Sequence, residues 1–236
     1  MLNDLRRRLL AEVATVAEQG EKSGEYTLPE IKPCTKPETV PEKLRLFRLE
    51  LDSRAENWQK EDMAKTWFVL PQICRNLKKL AAVVKEAYEY GARRFVAENY
   101  YAFELLRKYR DVQIGAGSFI YVMNRYAAAE LKKAGAAWAM PALESSPANM
   151  AELAASSPLP LVQAVYVYPP LFTSAVCIRP NACKDCRRGT KIYTLKKDGR
   201  AYKAVSRNCQ MQVFAATPYE REVVPGVCAV VDERQG

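Results

Sequence analysis

Four cysteines in the last third of the chain have the residue type and spacing of a metal site. They are Cys177, Cys183, Cys186 and Cys209. The first three close a short loop, and the fourth returns from a distance. Four thiolates hold either a tetrahedral zinc ion or an iron–sulfur cluster. Because the segment has one close pair rather than the two pairs usual in zinc ribbons, its spacing favours a 4Fe–4S cluster, with zinc as the alternative.

The same segment carries nearly all of the excess positive charge. The net charge is +9, and residues 177–210 contain ten Lys or Arg against two Asp, so eight of the nine excess charges lie there. One interpretation is that the basic side chains neutralise a negatively charged cluster and solvate a surface hairpin. The other is that they bind an anionic ligand or RNA, with Tyr193 and Tyr202 stacking on bases. The candidate binding residues are Arg179, Arg187, Arg188, Lys191 and Arg207.

The composition excludes several functional classes. The chain has no histidine, which rules out Ser-His-Asp and Cys-His catalysis and histidine zinc ligands within it. The seven cysteines are an odd number, and no apolar leader pattern precedes them, so we expect a reducing, cytoplasmic location. No run of about 18 apolar residues is present, and we therefore expect no membrane partner.

The elements that must position the cysteines follow two amino-terminal segments. Residues 1–19 repeat Leu and Val at helical spacing and predict an amphipathic helix. Residues 20–43 have prolines every four positions and predict an extended linker. We then predict a partial (β/α) barrel over 44–176. The last region, 177–236, is predicted to be a small β-rich four-cysteine segment with a hairpin and carboxyl-terminal strands.

Strand and helix patterns alternate through the predicted partial barrel. Asn124 and Ser146 stand where helix N-caps belong, and Gly91 and Gly135 stand where helices end. Six apolar runs predict a mostly parallel, helix-covered sheet of the α/β class. These runs are 44–51, 67–73, 94–97, 111–115, 137–142 and 161–167. A complete eight-stranded barrel takes about 250 residues, whereas 44–176 comprises 133 residues. We therefore expect a part-barrel or open sheet: either the missing strands come from a second chain or another region, or this chain is a piece of something longer.

A hairpin spans the gap between the third and fourth cysteines. Residues 191–195 and 200–205 alternate in polarity, and Asp198-Gly199 between them is a strong turn signal. This hairpin returns Cys209 toward the other cysteines.

Further candidate site residues follow the predicted strands. Glu98 and Glu144 stand at the carboxyl ends of strands, where barrel enzymes keep their catalytic groups. Isolated carboxylates at such positions also begin helices or form salt bridges. Arg125, next to Asn124, could face the same mouth and bind an anion or nucleic acid.

In combination, these segments resemble the collagenase-like peptidase family, which is the unassigned peptidase family numbered thirty-two. The resemblance covers roughly residues 44–215. Its motifs are Ala164–Phe172, Cys177-Ile178-Arg179, Cys183-x-x-Cys186, Leu195-x-x-Asp198-Gly199, Cys209, Trp67–Ile73, Gly91–Phe95, Ile114-Gly115 with Val122-Met123-Asn124, and Ala134-Gly135-Ala136.

The resemblance implies a TIM-barrel-like protein whose Cys177, Cys183, Cys186 and Cys209 fall on the family's 4Fe–4S ligands. It also implies oxygen-independent hydroxylation, of transfer-RNA or ribosomal-RNA bases in some members and of the ubiquinone ring in others. Peptidase activity, the older family label, is the alternative. A non-catalytic zinc or cluster-binding module that completes its barrel with a partner chain is the third hypothesis.

The chain departs from the family pattern at three places. Val167 and Tyr168 stand where the family usually has glycine and arginine. The family's Ser-Pro-Glu-Leu motif is replaced by Pro141-Ala142-Leu143-Glu144, which displaces the acid. The family's amino-terminal half-barrel has no counterpart in this sequence.

Overall fold

The computed structural model describes residues 28–34, 42–54, 58, 63–176, 178, 189–207 and 209–235. Residues 28–30 belong to a compact unit that comprises Met1–Glu30, and all elements described below belong to the second unit, Ile31–Gly236. The predicted amphipathic helix over 1–19 lies outside the described residues.

Thirteen strands, four α-helices and two 3-10 helices make up the described part of the second unit. The strands are β1 (Glu42–Lys43), β2 (Arg45–Arg48), β3 (Thr66–Val69), β4 (Arg94–Ala97), β5 (Gln113–Ala116), β6 (Ala136–Ala139), β7 (Val162–Val167), β8 (Pro170–Ser174), β9 (Lys191–Lys197), β10 (Arg200–Arg207), β11 (Gln210–Ala215), β12 (Tyr219–Glu220) and β13 (Ala229–Asp232). The helices are α1 (Leu77–Glu89), α2 (Tyr101–Leu106), α3 (Arg125–Lys133) and α4 (Pro147–Ser156), with 3-10 turns at Ser118–Ile120 and Glu233–Gln235.

A five-stranded parallel sheet forms the first half of the unit. Strands β2 to β6 pair in chain order, all in parallel. Helices α1, α2 and α3 stand in the connections that follow β3, β4 and β5. Parallel pairing requires such crossovers, because the chain must return to the same end of the sheet before each new strand begins. The predicted α/β class with a parallel sheet is confirmed.

The helix ends lie where the sequence predicts them. The side chain of Asn124 accepts hydrogen bonds from the N–H groups of Tyr126 and Ala127, at 3.0 and 2.9 Å. The hydroxyl of Ser146 accepts from the N–H of Asn149 at 3.2 Å, with Pro147 at the first helical position. Gly91 adopts a φ of +116°, which disfavours any residue with a Cβ.

The sixth predicted strand, β7, pairs with the end of the chain. Its parallel neighbour is β13, which pairs in parallel with β1 on its other edge. A parallel bridge between Ala139 and Leu161 joins the end of β6 to the start of β7. Glu42–Lys43, within the predicted linker, and Ala229–Asp232, within the predicted cysteine segment, therefore both contribute to parallel pairings. The cause is burial, since Ala229 and Val231 pack into the apolar cluster described next.

Buried side chains on one face of these strands form a single cluster, termed here the inner cluster. Its buried members are Trp67, Val69, Val96, Trp138, Met140, Val162, Ala164, Val167, Ala229 and Val231. A second cluster includes Phe68, Leu80 and Phe95 and packs the other face of the sheet against the helices. Strands that are buried on both faces explain the nearly continuous apolar runs in the sequence.

A four-stranded antiparallel sheet is inserted between β7 and β13. Its order is β8-β11-β10-β9. The predicted hairpin is confirmed, with Asp198 and Gly199 at φ values of 51° and 72° between β9 and β10. Positive φ at both turn residues matches the right-handed twist of the strands.

None of the helices in the described ranges is both long and apolar enough to cross a bilayer.

Substituting Gly115 tests the packing of the inner cluster. Gly115 in β5 pairs with Trp138 of β6, and a Cβ at position 115 would overlap the Trp138 ring. We expect Gly115→Ala to lower the free energy of unfolding by about 1–3 kcal/mol, because the overpacked ring must move. The matched control is Gly189→Ala, since a Cβ there meets no atom within 4 Å. Urea unfolding followed by circular dichroism measures both, and equal midpoints would contradict this account of the core.

Candidate functional site

A buried acid marks the carboxyl edge of the parallel sheet. Glu98 directly follows β4 and is 8 % exposed. The N–H of Phe119, in the turn after β5, donates to Glu98 Oε2 at 3.1 Å. Gly117 leaves room for this carboxyl group, since a Cβ at position 117 would overlap it. Glu98 therefore lies in a fixed position where two neighbouring strands end.

Burial controls the protonation of Glu98. Loss of hydration raises the pKa of its carboxyl group to about 7, while the Phe119 N–H and the positive charge of Arg48 act in the opposite direction. A carboxyl group that titrates near neutral pH can both hold and release a proton there. This is the property required of a general acid or base.

Arg48, whose charge acts on Glu98, also lines an open cleft. It ends β2, and its Nη2 lies 3.1 Å from Glu233 Oε1. Glu233 Oε2 in turn accepts the N–H of Tyr168 at 3.0 Å. The cleft beside these residues has a volume of about 460 Å³ and is also lined by Lys203 and Phe214 of the antiparallel sheet. One face of the antiparallel sheet therefore lies over the carboxyl ends of β2 and β7.

The other sequence-predicted residues near this edge are exposed. Glu144 lies in the turn after β6, next to Leu143, which packs against the inner cluster. Arg125 begins α3, and its guanidinium lies 5.1 Å from the ring centroid of Tyr126. Among the described contacts, no hydrogen bond or ion pair joins Glu144 or Arg125 to Glu98.

The cysteine segment is described only in part. Cys177, Cys183, Cys186, Arg179, Arg187 and Arg188 lie outside the described residues. Cys209 is exposed with a free thiol and stands in the turn between β10 and β11 at a φ of 61°. Lys191 is half-buried at the start of β9. Arg207 lies 2.8 Å from Asp52 and 3.6 Å from Glu50, so its guanidinium already has carboxylate partners.

Strand register brings both ends of residues 175–190, the part of the cysteine segment with the first three cysteines, to Cys209. Ser174, near the entry to the segment, pairs with Met211, two residues after Cys209. Lys191, near the exit, pairs with Ser206, three residues before Cys209. Entry, exit and fourth cysteine therefore stand at the same end of the antiparallel sheet.

Two contacts hold this end of the antiparallel sheet beside the parallel strands. Arg75, in the loop after β3, donates from Nη1 to the carbonyl of Ala175 at 3.4 Å. The pairing of Arg207 with Glu50 and Asp52 reaches the loop after β2. The cysteine end of the sheet is thus close to the carboxyl edge that carries Glu98.

Sequence reasoning did not single out Arg48, Phe214 or Glu233. Arg48 ends β2, but the predicted run 44–51 extends three residues further, so the rule that identified Glu98 would have missed it. Glu233 reaches Arg48 across 185 positions, and no local pattern indicates such a contact.

No family model matches the chain, and no curated protein matches it. A solved structure, described as the U32 peptidase Mk0906, is similar at 14 % sequence identity with a TM-score of 0.41. The similarity covers 61 % of this chain and 75 % of that one.

Replacing Glu98 tests its buried, protonated state. Its folded pKa of about 7 exceeds the ordinary value of 4.5, so the folded protein binds the proton more tightly than the unfolded chain does. Its contribution to stability is therefore present at low pH and lost as the pH rises from 4.5 to 7, by about 3 kcal/mol. We expect Glu98→Gln to lack this loss. Unfolding free energies measured from pH 4.5 to 7 should therefore fall less in Glu98→Gln than in the wild type.

The matched control is Glu144→Gln, which changes an exposed carboxyl group and should keep the wild-type profile. Parallel pH profiles for wild type and Glu98→Gln would show that Glu98 is ionised in the folded protein and would contradict the prediction.

Proposed function

We propose that this chain is an iron–sulfur protein that acts on RNA by oxygen-independent hydroxylation of a base. Such a reaction inserts an oxygen atom into a C–H bond and oxidises the carbon by two electrons, while an oxygen-donor molecule other than O₂ loses that atom and is reduced by the same two electrons. The observation that carries the proposal is the strand register, because it brings both ends of the cysteine segment to Cys209 beside the edge that holds Glu98.

We infer that the parallel strands close into a barrel. The parallel pairings run from β2 through β6, across the Ala139–Leu161 bridge to β7, and then to β13 and β1. Leu44 alone separates β1 from β2, and its N–H donates to the carbonyl of Val230 at 2.9 Å. In such a ring the inner cluster is the barrel interior, and active sites of barrel proteins lie at the carboxyl edge.

The four cysteines are the ligands that we propose for the cluster. Cys209 supports this role because its thiol is exposed in a turn and is free to bind. Cys177, Cys183 and Cys186 would supply the remaining thiolates, with zinc as the alternative occupant. When bound, a cluster of this type transfers single electrons, at a potential set by its surroundings.

Exposed cations and aromatic rings support RNA as the substrate class. The hairpin of β9 and β10 presents Lys196, Lys197 and Arg200 to solvent. Tyr100 and Tyr121, in the loops after β4 and β5, are 66 % and 53 % exposed. Cations that bind phosphates and exposed rings that stack on unpaired bases are the usual combination in single-strand recognition.

Glu98 is the residue that we propose to move a proton. Its carboxyl group is fixed by the Phe119 N–H and lies near Arg48, which lines the cleft. With a pKa of about 7, Glu98 can release its proton to a substrate atom or accept one at neutral pH.

Peptide hydrolysis is the second candidate function. Glu98 favours it too, because a carboxyl group of this kind can act as the general base for an attacking water molecule. The non-catalytic module that completes its barrel with a second chain is the third. The pairings of β13 with β7 and β1 support a ring formed within one chain and do not favour it.

Anaerobic purification tests the cluster. We expect a brown protein with broad visible absorption and about four iron and four sulfide per chain. Cys209→Ala should lower the iron content, because one of four ligands is lost. Cys228→Ala is the matched control, since Cys228 is a free cysteine that is not among the four proposed ligands. A colourless protein with one zinc per chain, or equal iron in both variants, would contradict the cluster.

Salt dependence tests binding to RNA. Three to five phosphate contacts predict that affinity for a single-stranded RNA falls by roughly tenfold to a hundredfold between 50 and 200 mM salt. The triple variant Lys196→Gln, Lys197→Gln, Arg200→Gln should bind more weakly and show a shallower slope. Fluorescence anisotropy of a labelled RNA measures both quantities.

The control removes three cations that stand elsewhere on the surface. It is the triple variant Lys85→Gln, Lys108→Gln, Lys133→Gln, all exposed on or beside helices. It changes the net charge by the same amount and should keep the wild-type slope. An affinity that does not respond to salt, or equal losses in both triple variants, would count against phosphate contact by the hairpin.

A further inference from the structure

The cleft at the carboxyl edge has the composition of a site for one nucleotide. Its volume of about 460 Å³ falls within the range of small-molecule sites, about 300–1,000 Å³. Its walls come from two different sheets. Arg48, Tyr168 and Glu233 belong to the parallel strands and the residues after them, and Lys203 and Phe214 belong to the antiparallel sheet.

One cation of the cleft has no ion-pair partner among the residues that the structure describes. Arg48 is paired with Glu233 at 3.1 Å, so these two charges compensate each other. Lys203 is exposed and forms no ion pair with any carboxylate in the described part of the chain. The cleft therefore carries one net positive charge, which matches one phosphodiester of a nucleic acid strand.

Aromatic side chains stand next to this cation. Phe214 is the cross-strand partner of Lys203, so their side chains lie side by side on the same face of the sheet. The register between β11 and β8 shifts at Val213–Phe214, an irregularity that changes how the strand presents Phe214. On the opposite wall, Tyr168 is 37 % exposed, with its hydroxyl 3.3 Å from that of Tyr166.

We propose that this cleft binds one nucleotide unit of a single-stranded RNA, with its phosphate on Lys203 and its base against Phe214 and Tyr168. Stacking on an aromatic ring beside a phosphate-binding cation is how single strands are held without sequence readout. Arg48 lines this cleft, and its positive charge also acts on the carboxyl group of Glu98. The inference deepens the proposed function and rests on it for RNA as the source of the nucleotide.

Dinucleoside monophosphates test the site, because each carries a single phosphodiester. We expect saturable binding of ApA, CpC, GpG or UpU to the wild-type protein by isothermal titration calorimetry. Lys203→Gln should weaken it by about tenfold, because a charge-assisted contact is lost. Phe214→Leu should weaken it by a similar factor through lost stacking. Lys85→Gln, which removes an equal charge from the exposed face of α1, is the control and should leave binding unchanged.

Inorganic phosphate and the matching free nucleosides separate the two parts of the ligand. Phosphate that binds as tightly as the dinucleotide would overturn the base contact, and equal affinity of wild type and Lys203→Gln would overturn the site. If a longer RNA binds and none of the cleft variants weakens it, the cleft inference fails and the RNA function stands. If dinucleotides bind through Lys203 but longer RNA does not bind, the RNA function fails and the cleft stands.

Discussion

The pairing of β13 with both β7 and β1 is the constraint on which the rest of the molecule depends. A parallel strand buried on both faces must have its backbone groups paired on both edges, because unpaired groups in a dry interior are costly. The last strand of the chain supplies such a partner to the sixth predicted strand, β7, and also pairs with β1, which lies in the predicted linker. Strands β8 to β11, between Val167 and Ala229, stand outside these parallel pairings and form an antiparallel sheet of their own.

This exclusion explains the position of the antiparallel sheet. The chain leaves β7 at its carboxyl end, so the inserted sheet begins at the edge where Arg48 and Glu98 stand. The ion pairs of Arg207 with Glu50 and Asp52 then hold the sheet over that edge. Partly exposed ion pairs of this kind contribute little to stability, but they determine which face of the sheet lines the cleft. These ion pairs therefore contribute to the placement of the antiparallel sheet more than to the stability of the protein.

Local signals predicted the elements well, and long-range contacts were beyond them. Asn124, Ser146 and Asp198-Gly199 act through atoms a few residues away, so their caps and turn could be read directly from the sequence. The partners of β13 could not, because an apolar run such as 229–232 fits any strand position in a buried sheet. Because 229–232 was not recognised as a parallel strand, the sequence indicated that strands were missing, although the end of the chain supplies one of them as β13. Glu98 was recognisable from its place after a strand, whereas its burial depends on Gly117 and Phe119 from the next connection.

The chain leaves β7 for the inserted sheet and returns from it at neighbouring residues. Tyr219, where the chain returns, pairs with Val167, where it leaves. Lengthening a segment whose two ends meet costs little free energy, because the loop-closure entropy grows only with the logarithm of the segment length. Strands β8 to β11 therefore leave and rejoin the parallel strands at one place, so their residues can change while the strands on either side keep their pairing. Substitutions on the antiparallel sheet can thus alter the chemistry of its surface without any change in the parallel strands that support it.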